Sequence, residues 1–335
     1  MISQSAFGID LGTSNIKIYS MSDDSILVEK NMIAIENRKN YLAYGDSAYD
    51  MYEKAPSNIV ISFPLSNGVI ADINNMEELV HYFINDLSRN NIKPADYYIT
   101  VPTDVTEVEK RAFYDLIKEA DVKARHIWVV EKAVADGLGL DVDVKNSQGV
   151  LVVDVGYDTT EISILSLGGI VRSRLIKVGG CKFDEAIRNG VRKAYNLVIG
   201  QKTAEIVKNE LKETEEEGRG AIVYGRDLVT GLPVERELPT KMICEAMSEQ
   251  FRVVIDNIKV ILELTPPELA ADIYRHGLYL TGGASQTSHL ASLISKSTGL
   301  KVNEAENPIT SVAIGLSKIM KDSNYRSVAY SIEGK

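Results

Sequence analysis

Two stretches of the chain share one pattern of hydrophobic and polar positions. In Phe7–Ser20, FGIDLGTSNIKIYS, the apolar run Phe7–Ile9 ends in Asp10. A tight turn covers Leu11–Asn15, and Ile16 and Ile18 then alternate with Lys17 and Tyr19 on a returning strand. In Val150–Leu165, VLVVDVGYDTTEISIL, the run Leu151–Val153 ends in Asp154 and Gly156 follows two positions later. Beyond Thr159 and Thr160, Glu161 and Ser163 alternate with Ile162 and Ile164. The two Asp-tipped hairpins lie 144 positions apart and predict duplicated halves.

Strand and helix patterns alternate through the remainder, which predicts an α/β fold. Asp23–Glu53 reads as short strands, Ile26–Val28 and Met32–Ile35, in a small peripheral subdomain. Asn75 with Glu78 predicts a capping box opening a helix whose buried face carries Leu79, Tyr82, Phe83 and Leu87. Tyr97–Val101 is a strand, and Thr106 with Glu109 predicts a second capping box ahead of Ala112, Phe113, Leu116 and Ile117. Ile127–Val130 runs into an Ala/Gly-rich helix, Glu131–Leu140, where Gly137 and Gly139 suggest close packing. Past the second hairpin come a strand at Ile170–Val178, a helix at Asp184–Tyr195, a long polar helix at Lys202–Lys212 and a solvated loop at Glu213–Gly220. DLVTGLP (227–233) is a turn between short strands. Lys241–Leu264 is the longest helix, with a core stripe through Ile243, Met247, Phe251, Val254, Ile258 and Ile261. Gly277–Thr281 is a strand, Leu290–Ser297 and Pro308–Met320 are helices, and the polar tail Ser323–Lys335 is expected to fray.

Composition narrows the classes. The 335 residues suffice for two cores, with 44% hydrophobic and 25% charged residues. The net charge of −10, with no basic stripe, argues against nucleic-acid binding. Cys181 and Cys244 make neither a disulfide framework nor a metal motif, which fits a reducing compartment. His81, His126, His276 and His289 show no ligand spacing. The opening MISQSA has no basic n-region of a signal peptide, and no window nears the ~20 apolar residues of a spanning helix.

The candidate chemistry lies in the two turns. Backbone N–H groups and hydroxyls at Gly12, Thr13, Ser14 and Asn15 suit phosphate oxygens. If the halves face each other, Asp10 and Asp154 point into one cleft able to take a phosphate chain and Mg²⁺.

GIDLGTSN (8–15), VVDVGYDTTE (152–161) and LTGGAS (280–285) resemble the two phosphate motifs and the adenosine motif of the actin/sugar-kinase/heat-shock-chaperone ATPase superfamily. Within it the chain resembles the MreB family of bacterial actins. NGVIAD (67–72), SLGGIVRSRLIKVGG (166–180), RKAYNLVIGQKTAE (192–205), GRDLVTGLP (225–233), TPPELAADI (265–273) and NPITSVAIG (307–315) carry that likeness. The resemblance implies duplicated actin-like (ribonuclease H-like) domains around a nucleotide cleft, in four subdomains. These are IA (1–31, 72–140 and 312–335), IB (32–71), IIA (141–180 and 247–311) and IIB (181–246). It implies ATP with Mg²⁺, self-association into double protofilaments, and a cytoplasmic place at the inner face of the membrane. There the family acts with cell-wall synthesis and membrane-linked shape proteins.

By matching position, Gly12, Thr13, Ser14 and Asn15 would face the phosphates from one side and Gly156, Thr159 and Thr160 from the other. Asp10 and Asp154 would hold the Mg²⁺ shell through water. Glu205 and Lys208 would flank the adenine; read alone they are a surface i,i+3 ion pair. Gly179, Gly180, Gly282, Gly283 and Ala284 would lie along the nucleotide.

Two departures stand out. The family's second motif reads Asp-hydrophobic-Gly-Gly-Gly-Thr-Thr, and two of its glycines are here Tyr157 and Asp158. The ring needs room. Asp158 either repels a phosphate, at about 3 kcal/mol for like charges ~5 Å apart in an effective dielectric near 20, or ligates a metal. The family also places Glu-Glu-Pro before an Ala-rich helix, its second Glu positioning the attacking water 22 positions before the second-motif Asp. Here Val130-Glu131-Lys132-Ala133 puts Lys132 at that spacing from Asp154. A lysine ammonium cannot accept a proton, though it can meet a phosphate as a point charge. A register shift would bring Glu131 into that role instead. The expectation is thus a filament subunit with hydrolysis weakened or lost, working alone or with an active paralogue.

Membrane attachment is expected to be weak. MISQSA is short for an amphipathic helix, and Arg89–Asp96 offers only Ile92 as a sizeable apolar side chain. The rival readings are a non-polymerising actin-fold switch or scaffold, and a small-molecule kinase of the same superfamily. A chaperone's substrate domain is not expected, since the chain stops at Lys335, soon after the last nucleotide-site helix, and a kinase would need an extra sugar pocket and usually a longer chain.

Overall fold

The Asp-tipped stretches form the hairpins their alternation predicts. Ala6–Leu11 pairs antiparallel with Asn15–Ser20, and Val150–Val155 with Thr160–Ser166. These are features of a computed structural model that describes residues 5–333. A third antiparallel strand extends each hairpin, Ser25–Lys30 in the first half and Gly169–Ile176 in the second. On the far side of each leading strand the chain returns in parallel. Ala95–Val101 and then Ala124–Glu131 do so in the first half, Leu278–Thr281 and then Val302–Glu304 in the second. A three-strand meander followed by two parallel strands thus occurs twice, in the same spatial order. Parallel returns require long crossovers, and helices fill them. Glu107–Glu119 spans one in the first half, and Leu290–Thr298 spans one in the second.

Two small sheets stand apart. Ile33–Glu36 pairs with Asn40–Tyr44 and Ile59–Ser62, and Ala221–Asp227 pairs with Leu197–Val198 and Pro233–Leu238. Ser25–Lys30, expected in a peripheral unit, belongs instead to the main sheet, because its whole length pairs with Asn15–Ser20.

Helix ends show which local signals held. Thr106 and Glu109 form both bonds of a capping box at the start of Glu107–Glu119. The box expected at Asn75 does not form. Asp72 caps Ile73–Leu87 by accepting from the Asn75 backbone N–H at 3.1 Å, a turn earlier than expected. Glu78 is thereby free to accept from the Tyr44 hydroxyl, and Tyr82 lies exposed, stacked on Tyr44 with ring centroids 3.9 Å apart. The expected polar helix at Lys202–Lys212 is two helices, Gln201–Asn209 and Leu211–Glu216, so Glu213–Glu216 is helical rather than loop. The break lets Leu211 turn into the core. The tail does not fray at Ala329–Tyr330. That segment pairs with Val129 and Val130, and the Tyr330 hydroxyl donates to Glu131 at 2.9 Å. Residues 334–335 of that tail, like Met1–Gln4 of the MISQSA segment, lie outside the described residues.

The stripe on the longest helix, Thr240–Glu263, is fully internal from Ile243 to Ile261. It packs under the second sheet, with Phe251 edge-on to Phe183 at 5.1 Å. A separate cluster joins the halves: Val130, Val134 and Leu138 of the first meet Val150 and Val152 of the second and Val312 and Leu316 of the helix Ser311–Lys321. The helices Lys132–Gly139 and Ser311–Lys321 nearly touch backbone to backbone. A β-carbon at Gly139 would strike the Ser311 carbonyl, and one at Gly315 the Ala135 carbonyl. No helix among the described residues is long and apolar enough to cross a membrane.

Truncating a ring at the centre of the second core leaves a cavity as well as losing transfer energy. Phe183→Ala is therefore expected to cost about 3–5 kcal/mol. Val108→Ala, on an exposed helix surface, is expected to stay within ~0.5 kcal/mol. Denaturant unfolding of both variants checks the contrast.

Candidate functional site

Hairpin geometry brings both carboxylates to one place. Because each leading strand ends at its turn and the two sheets face each other, Asp10 and Asp154 line the same cleft, a cavity of about 490 Å³. Gly12, Thr13, Ser14 and Asn15 line it from the first turn, and Gly156 and Thr159 from the second. Gly180, Glu205, Lys208, Gly282, Gly283 and Ala284 complete the wall on the second half's side. Thr160 and Gly179 stand behind that wall. The Thr160 hydroxyl donates to the Val178 carbonyl at 2.7 Å. Gly179 caps the helix Gly180–Tyr195, whose first N–H groups reach the Gly156 and Tyr157 carbonyls at 3.0 and 2.7 Å.

Each of the two carboxylates on the cleft floor has a lysine partner. Lys132 Nζ lies 2.5 Å from Asp154 Oδ2 and 2.8 Å from Glu161 Oε1. The second Glu161 oxygen accepts from the Thr103 N–H and hydroxyl at 2.8 and 3.0 Å. Lys17 Nζ donates to Asp10 Oδ2 at 2.9 Å, while Thr100 donates to Asp10 Oδ1 at 3.1 Å. Burial acts to depress the Lys132 ammonium, but Asp154, Glu161, Asp10 and Asp136 outweigh it and hold the group charged well above the usual lysine range. Burial likewise acts to raise Asp10, and Lys17 with Lys132 overcomes it, so the carboxyl stays ionised below its ordinary value. Gly282 makes room for this cluster. Its φ is +90°, and a β-carbon there would collide with Asp154 Oδ1.

A divalent ion resident between Asp10 and Asp154 does not fit this donor set, because each carboxylate already has an ammonium partner. Lys132 is held as a donor and offers no lone pair to a water. Glu131 faces elsewhere: it accepts from Lys110 at 3.0 Å and from Tyr330, outside the cleft. The register shift that would bring Glu131 to the cleft floor does not occur.

The altered second turn is accommodated. The Tyr157 ring lines the cleft, and its hydroxyl accepts from Gln201 at 3.3 Å. Asp158 points away from the floor and accepts the Asn67 N–H across the cleft mouth at 2.9 Å. Further bridges cross the mouth: the Tyr49 hydroxyl donates to Glu205 at 3.0 Å, and Glu53 accepts the Gln201 N–H at 2.9 Å. Glu205 and Lys208 do not pair with each other. Glu205 lies 3.7 Å from Lys30, and Lys208 makes a buried 2.7 Å contact with Asp184. Burial pushes Asp184 up to about 6, with Lys208 holding it back from rising further.

Comparison with known proteins fits this arrangement. The model of the MreB/Mbl protein family matches residues 4–327. Cell shape-determining protein Mbl of Bacillus subtilis is 38% identical over 315 residues, covering 92% of this chain and 93% of Mbl. The chain belongs to the MreB/Mbl family. Cell shape-determining protein MreB of Escherichia coli K12 is 36% identical over 322 residues, covering 93% of this chain and 92% of MreB. The crystal structure of MreB5 of Spiroplasma citri bound to ADP superposes with a TM-score of 0.89 at 32% identity, over 97% of this chain and 98% of that one. The same protein bound to AMPPNP also gives 0.89. A MamK double helical filament gives 0.79 at 21% identity, covering 95% and 99%, a likeness of fold. The actin-like fold expected from the three motifs is thus present.

Several residues of this MreB/Mbl chain's cleft escaped the sequence reading. Lys17 and Glu161 face Asp10 and Asp154 directly across their hairpins, so strand register held the signal. Asn31 braces the first turn, donating to the Gly12 carbonyl at 2.9 Å, and nothing local marks it. Asp136 is buried beside the floor and accepts from Ser311 at 2.7 Å, with Thr281 donating to Ser311 at 2.8 Å. Burial first, and then the Asp154 charge, pushes the Asp136 carboxyl well above its ordinary value.

A raised folded value has a definite sign. The unfolded chain releases the Asp136 proton in the ordinary carboxylate range while the folded protein retains it. Stability from this group is complete at low pH and declines as pH rises towards the raised value. Asp136→Asn removes that decline. Its melting temperature is expected to exceed wild type at pH 8, with a gap that narrows towards pH 5; a gap that widens in acid would contradict the assignment.

Proposed function

We propose that this MreB/Mbl chain is a nucleotide-binding cytoskeletal filament subunit whose hydrolytic step is slow. The observation that carries the slow step is Lys132, clamped between Asp154 and Glu161 at the position where the family has its water-positioning glutamate. General-base help is worth about 10²–10⁴ in rate, and an ammonium that is already a donor on both sides gives none. The remaining floor carboxylates do not replace it. Asp10 and Glu161 have both oxygens engaged, and Asp136 is buried behind the floor, where it accepts from Ser311.

Nucleotide binding is supported by the shared cleft and by the ADP and AMPPNP complexes of the Spiroplasma citri relative. On this reading Gly12–Asn15 and Gly156–Thr159 cradle phosphates, and the Gly282–Ala284 segment with Glu205 and Lys208 borders the base. Mg²⁺ belongs to the incoming nucleotide complex, since the floor carboxylates are already paired. We read the four subdomains with the boundaries given above; the two small sheets, set apart from the two large ones, support the division.

A role in cell shape follows the relatives' names, and we extend it to a place at the inner face of the membrane beside cell-wall synthesis proteins. The surface supports weak direct lipid contact, because Ile92, the apolar residue of the Arg89–Asp96 loop, is 9% exposed. A partner or sister filament would then supply attachment.

Purified protein with ATP is expected to release phosphate slowly, and Lys132→Glu to release it at least about tenfold faster. Equal rates would overturn the assignment of Lys132. With AMPPNP the protein is expected to pellet at high speed only above a threshold concentration, unchanged by added liposomes. A monomer at every concentration would favour the non-polymerising switch.

A further inference from the structure

The floor of the cleft carries three carboxylates, Asp10, Asp154 and Glu161, and two lysines, Lys17 and Lys132. Lys17 neutralises Asp10 from within its own hairpin. Without Lys132, Asp154 and Glu161 would present two unbalanced charges to any polyphosphate entering from above, a load that a divalent cation ordinarily offsets. Lys132 meets both at 2.5 and 2.8 Å. It is also fixed there: it opens the helix Lys132–Gly139, which the close crossing with Ser311–Lys321 locks in place. A metal ion has to be recruited from solution and stripped of water, whereas this cation is part of the chain. The two also compete, since a divalent ion brought to Asp154 would sit within a few ångströms of the ammonium and be repelled by it.

We propose that Lys132 is a built-in counter-cation that replaces the divalent metal on the cleft floor, so that this chain binds adenosine nucleotides nearly independently of Mg²⁺. The inference rests on the reading that the cleft takes a nucleotide. It goes beyond slow hydrolysis, because it concerns the affinity of the ground state and applies to ADP, which has no γ-phosphate to release. Lys132→Glu reverses the charge and leaves the floor dependent on an outside cation. Lys132→Met removes the charge with a side chain of similar length.

The test is calorimetric titration of the full-length protein with ADP, in excess MgCl₂ and in excess EDTA. Wild type is expected to keep its dissociation constant within about fivefold between the two conditions. Lys132→Glu is expected to weaken more than about tenfold in EDTA and to recover in Mg²⁺, which on the affinity scale is more than 1.4 kcal/mol. Where Lys132→Glu fails to melt cooperatively, Lys132→Met carries the same expectation. A wild type that loses more than fivefold in EDTA overturns the counter-cation and leaves the nucleotide reading intact. Variants as indifferent to EDTA as wild type overturn it too. No binding in either buffer overturns both readings.

Discussion

The contact between the Lys132 ammonium and the carboxylates of Asp154 and Glu161 sets the character of the whole cleft. Taking a charge from water into a protein interior is expensive, and mutual attraction offsets the cost only when the remaining hydrogen-bonding capacity is also met. That condition holds here. Glu161 uses its second oxygen on Thr103, Asp10 is shared between Lys17 and Thr100, and Asp136 meets Ser311. Removing one member strands the others, so the floor behaves as a unit and its chemistry follows from the unit's net charge.

The fold is what makes the unit possible. A meander with two parallel returns, used twice, carries an Asp to the end of each leading strand, and the facing of the two sheets turns both ends into one space. Hairpin register then sets a residue opposite each Asp, Lys17 in one half and Glu161 in the other. Lys132 comes from neither hairpin. It stands where the strand Ala124–Glu131 gives way to a helix, and the small residues of that helix let Ser311–Lys321 approach closely enough to add Ser311 behind the floor. Contacts at the mouth, from Asn67 to Asp158, from Tyr49 to Glu205 and from Glu53 to Gln201, join elements that belong to opposite walls.

Much of this was legible in the amino-acid order because it is local. Alternation gave both hairpins, and the Thr106 box lies within four residues. The 22-residue spacing to Asp154 singles out Lys132. What was not legible depends on distant partners. Asp136 sits in an Ala/Gly-rich stretch, and its meaning comes from Ser311, 175 positions away. The Ala329–Tyr330 strand reads as a polar tail until Val129 and Val130 appear beside it. Glu205 and Lys208 have the spacing of an ion pair, yet Lys30 and Asp184 take them in opposite directions. Asp158 invited two readings at the phosphates and adopts neither, because the Asn67 N–H across the mouth claims it.

Tyr157 and Asp158 change the edge of the cleft while Lys132 changes its floor, so the departures from the family pattern have unequal weight. The first two are absorbed by hydrogen bonds from Gln201 and Asn67. The third alters the charge that a phosphate chain meets. The most direct measurement is a crystal structure of the wild-type protein grown with AMPPNP and Mg²⁺. The account predicts the Lys132 ammonium still within about 3 Å of Asp154 and Glu161, the usual reach of a charge-assisted hydrogen bond. Lys132 swung out of the cleft, with a metal ion lodged between Asp10 and Asp154, would contradict it.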